Sequence, residues 1–276
     1  MSFFENILYG FTAGLTEFLP VSRYGHQALL RYLFGVSAGL TLQDLLIHIG
    51  ILLSVFWGCR EYIARLRWEQ KTAAANRRRK SRRMDSKGYY DLRLLRSAVV
   101  PMLIAIIIIK SFVKVEGNLL ILLWLFVANG LVLLLAEHAR QGNRESASMS
   151  GFDGTLMGVS TATSIIPGLS GTGLTLSYAS ARGVDIQKAI NWVILLVVPT
   201  AVFAIGSDAF SIFSNGFGVI SVGMVAGSVL AGIAAFCGGY AGIAILRLLA
   251  TNLTVFQFSY YSFGLALLTF LLYLFT

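Results

Sequence analysis

Two short stretches of similar sequence, nearly half the chain apart, interrupt otherwise apolar segments. Residues 20–25 read PVSRYG and residues 167–173 read PGLSGTG, so each places a serine and a glycine shortly after a proline. A proline or glycine break in a membrane helix frees backbone N–H and C=O groups that lipid cannot satisfy. Such breaks persist only inside protein or beside a watery cavity, and two matched breaks in two halves of a chain indicate a binding site near the membrane midplane.

The composition assigns the chain to the membrane proteins. Of its 276 residues, 56% are hydrophobic and 13% are charged, whereas a soluble domain carries about 25% charged residues. We expect no cleaved signal peptide, because the first residues lack a basic region and Glu5 and Glu17 interrupt the apolar run. Cys59 and Cys237 lie in apolar segments, which favours packing roles over a disulfide framework or a metal site.

The segment 60–96 carries the whole net charge of +9, because it holds 13 Lys and Arg against 4 Asp and Glu. The positive-inside rule places such a segment in the cytoplasm, where its basic run at 77–83 would face anionic lipid. Nucleic acid is the other partner that a basic run can indicate. We expect none here, because a cytoplasmic loop of a membrane protein already accounts for the charge.

Apolar segments long enough for a bilayer, which needs about 20 residues, predict six crossings. They lie near 43–59, 97–113, 119–137, 189–207, 217–246 and 255–275. Two further regions, 3–36 and 152–182, each contain two short apolar arms around one of the breaks. We interpret both as re-entrant helical hairpins, whose tips would carry the polar groups of the breaks.

This order predicts an all-α polytopic membrane protein with a single membrane domain, 1–276, built as an inverted repeat. The first repeat covers about 1–137 and the second about 150–276, each a re-entrant hairpin followed by three transmembrane helices. Because three crossings reverse the direction of the chain, the second repeat lies upside down relative to the first. With 60–96 in the cytoplasm, the first hairpin enters from outside, the second enters from the cytoplasm, and both termini lie outside.

The two breaks together predict an anion site. Each break begins a helix whose free N–H groups and positive dipole end favour an anion, and the glycines let the backbone come close to it. Arg23 adds a permanent charge with a fork of donors suited to phosphate. The predicted phosphate-binding residues are Ser22, Arg23, Ser170, Gly171, Thr172, Gly173 and Thr175.

Ionisable residues at membrane depth are costly, so Glu17 and His26 beside the first break are functional candidates. Each candidate also has a structural interpretation. Arg23 would reach the outer headgroups if its tip is shallow, and His26 would bond a backbone carbonyl. Glu17 would cap a helix or pair with Arg23. We interpret His48, which lies within a predicted span, as structural.

At these residues the chain resembles the undecaprenyl-pyrophosphate phosphatases, the bacitracin-resistance membrane enzymes. Residues 13–26 read AGLTEFLPVSRYGH, where that family typically reads E-G-L-T-E-F-L-P-V-S-S-T-G-H. Residues 167–175 read PGLSGTGLT, where the family reads P-G-x-S-R-S-G-x-T. The likeness extends to 47–50, to 195–199 and to the length and span order of the whole chain.

The resemblance implies removal of one phosphate from a polyprenyl pyrophosphate, which recycles the lipid carrier of cell-wall synthesis in the bacterial inner membrane. It implies acid/base roles for His26 and Glu17, and it makes Glu17 a candidate ligand for Mg²⁺ or Ca²⁺. We expect the polyprenyl (pyro)phosphate lipid and the membrane as partners, allow a homodimer, and expect no nucleic acid.

Among the departures from the family pattern, two losses fall on the chemistry, at Ala13 and Gly171, and one gain accompanies them. Ala13 stands where the family has its first Glu, Arg23 where it has its second Ser, and Gly171 where it has the Arg that holds the phosphates. Arg23 therefore appears where the other Arg disappears, and we expect it to supply the cation from the opposite tip. The alternative to a phosphatase is a catalytically altered homologue that binds a polyprenyl phosphate lipid or transports it across the membrane.

Overall fold

The computed structural model describes residues 1–36, 41–78, 87–113, 118–138, 148–215, 221–251 and 254–275. In those ranges the protein is all-α. The helices are α1 Phe3–Phe18, α2 Arg23–Leu33, α3 Thr41–Gly58, α4 Arg60–Arg78, α5 Lys87–Phe112, α6 Leu119–Glu137, α7 Gly151–Ala162, α8 Gly171–Ala181, α9 Ile186–Asn215, α10 Val222–Thr251 and α11 Phe258–Leu274.

Five of these helices are long and apolar enough to cross a membrane. They correspond to five of the six predicted crossings: Thr41–Gly58, Tyr90–Phe112, Leu119–Glu137, Ile186–Ser214 and Val222–Ala250. The sixth crossing corresponds to α11, an apolar helix of 17 residues that follows a short 3₁₀ turn at Thr254–Gln257. The fold class, an all-α polytopic membrane protein, is therefore confirmed.

The two predicted hairpins appear as the pairs α1–α2 and α7–α8, with the breaks at the turns between their arms. The arms are 16, 11, 12 and 11 residues long, which is shorter than the roughly 20 residues of a full crossing. Each first arm begins with a capping box, in which the serine at the N-cap and an acidic residue three positions later bond each other's backbone. These serines are Ser2 and Ser150.

The helices of the two predicted repeats pack in a reciprocal manner. Helix α1 packs against α10, and its counterpart α7 packs against α5, the counterpart of α10. Helices α3 and α9, which are counterparts of each other, are in contact, and so are α6 and α11. Two related repeats would produce this pattern, in which the first hairpin arm of each repeat packs on a helix of the other repeat and further helices pack on their counterparts. The inverted orientation across the membrane stays a prediction.

The basic segment 60–96 is not the loop that the sequence predicted. Helix α4 begins directly after α3, and the backbone bonds of Cys59 to Val55 and of Ile63 to Cys59 carry the helical pattern across the junction. Helix α5 already begins at Lys87. Alanine, arginine, lysine, glutamate and glutamine dominate α4, and all have high helix propensity. The rest of the segment, 79–86, lies outside the described residues.

A polar cluster holds the base of the second hairpin together. Asp153 accepts hydrogen bonds from the backbone and hydroxyl of Ser150, from Tyr178 and from Arg182. Burial raises the pKa of Asp153, but these donors outweigh burial and hold that pKa well below its usual value. Burial and the neighbouring carboxylate raise the pKa of Tyr178 to about 12. The cluster therefore keeps one fixed charge state near neutral pH.

Candidate functional site

The two tips have nearly the same backbone conformation. Ser22 is the N-cap of α2, with φ −80° and ψ 115°, and its side chain accepts a hydrogen bond from the N–H of Gly25. Ser170 is the N-cap of α8, with φ −105° and ψ 111°, and its side chain accepts from the N–H of Gly173. A serine N-cap fits here because its hydroxyl satisfies one of the free donors of the first helical turn.

The tips meet each other, as the sequence predicted. The N–H of Gly168 donates to the Ser22 hydroxyl at 2.8 Å, and the Ser170 hydroxyl donates to the carbonyl of Leu19 at 3.3 Å. The Thr172 hydroxyl donates to the carbonyl of Glu17 at 2.9 Å. All of these bonds run from one hairpin to the other, so the two helix N-termini face a common region inside the protein.

Asn129 of α6 bridges the two tips, and sequence reasoning missed it. Its Oδ1 accepts from the N–H of Ser170 at 2.9 Å, while its Nδ2 lies 3.4 Å from the carbonyl of Pro20. The same Nδ2 donates to Ser262 of α11 at 3.0 Å. Asn129 is fully buried. The feature of the sequence that could have revealed Asn129 is an amide side chain within an otherwise apolar span.

Two glycines let the second tip pack closely. Gly168 has φ +98°, a backbone conformation that residues with a Cβ rarely adopt. A Cβ on Gly171 would lie 2.5 Å from the carbonyl oxygen of Thr161. In this conformation position 171 therefore has no room for the family arginine.

The first tip carries the charge. Arg23 is only 7% exposed and its Nε lies 2.9 Å from Glu17 Oε2, without the alignment of a hydrogen bond. Two of the open alternatives are thereby decided in this structure. Arg23 lies inside the protein and does not reach for headgroups, and Glu17 pairs with it.

The charged group extends through His48 to Asp208. His48 Nε2 lies 3.0 Å from Arg23 Nη2 and 3.2 Å from the Tyr24 hydroxyl, and its Nδ1 lies 2.8 Å from Asp208 Oδ2. The Asp208 carboxylate can only accept and the Arg23 guanidinium can only donate, so the ring is neutral, with Nε2 accepting from Arg23 and the N–H at Nδ1 donating to Asp208. His48 therefore belongs to the site, although its position within a predicted span did not indicate this.

Asp208 was missed because the predicted crossing ended at residue 207. Helix α9 continues to Asn215, so the carboxylate lies within the helix and reaches His48 of α3. A carboxylate inside a long apolar helix marks a functional candidate, and this was the available signal.

His26 points in another direction, toward α6 and α11. Its Nδ1 donates to the carbonyl of Ser22 at 2.7 Å, and its Nε2 accepts from the Tyr261 hydroxyl at 2.7 Å. The ring stacks on Tyr261 with centroids 5.7 Å apart. The carbonyl bond fits the structural interpretation, yet it also leaves Nε2 as the basic nitrogen, which is the tautomer a general base requires.

The remaining predicted residues line the interior of the second hairpin. Thr175 is fully buried and lies 2.9 Å from the hydroxyl of Thr161. Gly173 is buried beside Pro20 of the first tip. The structure thus brings Ser22, Ser170, Thr172 and Gly173 to the meeting of the tips and places Thr175 about one turn deeper along α8.

The groups around Glu17 do not match the oxygen ligands that a divalent cation requires. Mg²⁺ and Ca²⁺ bind several oxygen ligands, whereas the carboxylate of Glu17 faces a guanidinium and the family's second carboxylate is Ala13. Over the described ranges, no cluster of three or more His, Cys, Asp or Glu side chains is arranged to hold a metal. A requirement for Mg²⁺ or Ca²⁺ stays a prediction for the hydrolysis assay.

Comparison with known proteins agrees with the motifs at the tips. The family model of bacitracin resistance protein BacA matches residues 6–268. The chain is 32% identical over 269 residues to the undecaprenyl-diphosphatase of Syntrophotalea carbinolica, covering 95% of each chain. It is 28% identical over 270 residues to that of Treponema denticola, covering 97% of this chain and 96% of the relative. It is 32% identical over 209 residues to that of Roseobacter denitrificans, covering 73% and 74%.

Proposed function

Because the chain belongs to the bacitracin resistance protein BacA family, we propose that it acts on undecaprenyl pyrophosphate and binds its phosphates between the two hairpin tips. The observation that carries this proposal is Arg23, a buried guanidinium next to two serine-capped helix N-termini that face each other. Helix N-termini and a guanidinium are both suited to phosphate oxygens. Relatives across nearly the whole chain are named undecaprenyl-diphosphatase, which supports this lipid as the substrate.

The reaction we propose first is hydrolysis of the pyrophosphate to a monophosphate. His26 Nε2 would take the proton of the attacking group, because Nδ1 is committed to the Ser22 carbonyl. The Tyr261 hydroxyl marks a place where an attacking hydroxyl or water would bond Nε2. Arg23 would stabilise the charge that develops on the phosphate oxygens.

Transport of a polyprenyl phosphate lipid is the second candidate, and the second tip favours it. Gly171 leaves that tip without the family arginine, and Ala13 removes one of two carboxylates. Arginine clamps on a transferring phosphoryl group contribute about 10³-fold or more to the rate. A chain that lacks these groups and keeps a buried cation retains phosphate binding more securely than catalysis.

Phosphate release by the purified protein separates the two candidates. The assay uses undecaprenyl pyrophosphate, with Mg²⁺, with Ca²⁺ and with a chelator. Turnover that depends on His26 supports the phosphatase. Binding without phosphate release, together with protein-dependent movement of undecaprenyl phosphate across liposomes, supports the transporter. If the protein neither binds nor hydrolyses undecaprenyl pyrophosphate, the proposed function as a whole is contradicted.

The location and the partners follow from the same family membership. The protein is a multi-pass membrane protein, and we place it in the bacterial inner membrane, where the lipid carrier is used. A homodimer and the lack of a nucleic acid partner stay predictions. Gel filtration in detergent with light scattering tests the first of them, and a binding assay with the purified protein tests the second.

A further inference from the structure

We propose that His48 takes up one proton when the lipid phosphate binds, so that anion binding and protonation are coupled within the site. This inference rests on the proposed function, since it takes Arg23 as the group that binds the phosphate. It concerns a residue that the sequence analysis interpreted as structural, and it joins three helices, α2, α3 and α9, in one event.

The geometry of one nitrogen atom is the basis of the coupling. His48 Nε2 has a single lone pair in the plane of the ring, and it accepts from Arg23 Nη2 at 3.0 Å. While that bond is present, Nε2 does not carry a proton. If Arg23 turns its Nη2 toward a phosphate oxygen, the Tyr24 hydroxyl stays 3.2 Å from Nε2. A hydroxyl can accept from a protonated Nε2 as well as donate to an unprotonated one, so Nε2 becomes available to a proton.

Asp208 then stabilises the product of that step. The N–H at Nδ1 already points at Asp208 Oδ2 at 2.8 Å, so an imidazolium at position 48 would form an ion pair without rearrangement. A carboxylate at this distance favours the charged form of a histidine. The proton comes from solvent and ends on Nε2, and Arg23 keeps all of its own protons.

The balance of charge gives the reason for the uptake. With His48 neutral, the connected group contains the carboxylates of Glu17 and Asp208 and a single guanidinium, Arg23. This group has a net charge of −1, which opposes an incoming phosphate in a medium of low dielectric constant. A proton on His48 brings the group to neutrality and adds a donor that faces the same region as Arg23.

The surroundings contain few other groups that titrate. Among the described residues, the titratable or charged groups that face His48 or lie next to the group are Arg23 and Tyr24 from α2, Glu17 from α1, Asp208 from α9, Asp44 one turn away on α3, and Lys110 of α5, which bonds Ser207. Asp44 is itself paired with Arg31 of α2 and lies within bonding distance of the Tyr9 hydroxyl of α1, so it adds no net charge. From α10, Arg247 contacts Gly58 and Cys59 at the far end of α3.

Solvent reaches Asp208 more readily than it reaches His48. The side chain of Asp208 is 19% exposed, whereas that of His48 is 6% exposed. Because Nδ1 already carries a proton that is bonded to Asp208, the new proton enters at Nε2 once Arg23 has turned, and the charge of Asp208 stabilises it there. Loss of the Asp208 charge should consequently shift the uptake to lower pH.

The test measures protons taken up for each lipid bound. Undecaprenyl pyrophosphate is titrated into the purified protein by calorimetry, in two buffers of different ionisation enthalpy, between about pH 6 and 8, where a histidine titrates. His48→Gln is the decisive variant, because the amide can accept from Arg23 and donate to Asp208 without binding a proton. His138→Gln is the matched control, since His138 is exposed at the end of α6.

The wild type and His138→Gln should each take up about one proton more than His48→Gln, and their dissociation constants should rise by about tenfold per pH unit relative to that variant. The titration of the lipid's own phosphates is common to all variants and cancels in the difference. Asp208→Asn, which keeps a hydrogen-bond acceptor, should take up less than the wild type at the same pH.

Equal proton uptake by the wild type and His48→Gln, with both binding the lipid, would overturn the coupling and leave the proposed function intact. If His48→Gln does not fold, unchanged uptake by Asp208→Asn would overturn it equally. No binding by the wild type at any pH would instead contradict the proposed function, and the coupling would fall with it.

Discussion

At the first hairpin tip the residue after the N-cap serine is Arg23, whereas at the second tip it is Gly171. The serines themselves have matching conformations and matching hydrogen bonds. Around the first tip lies a connected set of charged and ionisable groups, which includes Glu17, His48 and Asp208. Around the second tip the described contacts are hydroxyls, amides and backbone groups.

This difference separates two properties of an anion site. The backbone conformation that the tips share supplies two helix N-termini, each equivalent to only about half a charge. Close packing of the second tip depends on Gly171. The full charge comes from the first tip alone. In the family pattern the arginine stands on the second tip, so this chain carries its cation on the opposite tip.

Topology is the prediction with an all-or-none outcome. In a background with Cys59→Ser and Cys237→Ser, Lys80→Cys should react with a membrane-impermeant reagent from the cytoplasmic side only. Thr276→Cys should react from outside only, because the basic segment does not cross the membrane. Labelling of both positions from the same side would contradict the inverted repeat, and with it the idea that the tips enter from opposite sides.

Removal of the candidate base should have the next largest effect. His26→Ala should lower phosphate release by about 10²–10⁴-fold, the usual effect of losing a general base, with little change in lipid affinity. His138→Ala, at the exposed end of α6, controls for the loss of an imidazole. Near-normal turnover in His26→Ala would return His26 to the structural interpretation.

The bridge between the tips should matter for stability. Asn129→Ala leaves the Ser170 N–H and the Pro20 carbonyl without their buried partner, and each such group costs about 1–3 kcal/mol. Ser262→Ala removes only one of the partners of Asn129 and should lower the unfolding temperature in detergent less. Equal shifts for the two variants would show that Asn129 does not join the tips.

The tight turn of the second tip should give the smallest effect. Gly171→Ala puts a Cβ against the Thr161 carbonyl and should lower the free energy of unfolding by about 1–3 kcal/mol. Gly151→Ala is the matched control, because a Cβ there meets nothing within 4 Å. If the two variants unfold at the same temperature, position 171 has room for a Cβ, and the steric argument against the family arginine at that position fails.

Sequence reasoning located the tips better than it located the groups around them. The breaks at 20–25 and 167–173 act locally, through proline, serine and glycine, so the hairpins could be predicted from the residues themselves. His48, Asn129 and Asp208 join the site from helices α3, α6 and α9, which only the packing of those helices brings together. Helix α4 was not predicted, because the basic charge of residues 60–96 indicated a loop, whereas the helix propensity of the same residues favours a helix.

The central claim is that Arg23 holds the lipid phosphate for both tips. The most direct test is the affinity of the purified protein for undecaprenyl pyrophosphate before and after Arg23→Ala. Arg96→Ala, at an exposed position of α5, serves as the control for net charge. The account predicts a loss of about 10²-fold or more for Arg23→Ala, as for other truncated buried charge pairs, and little change for the control. Affinity of Arg23→Ala equal to that of the wild type would contradict the claim.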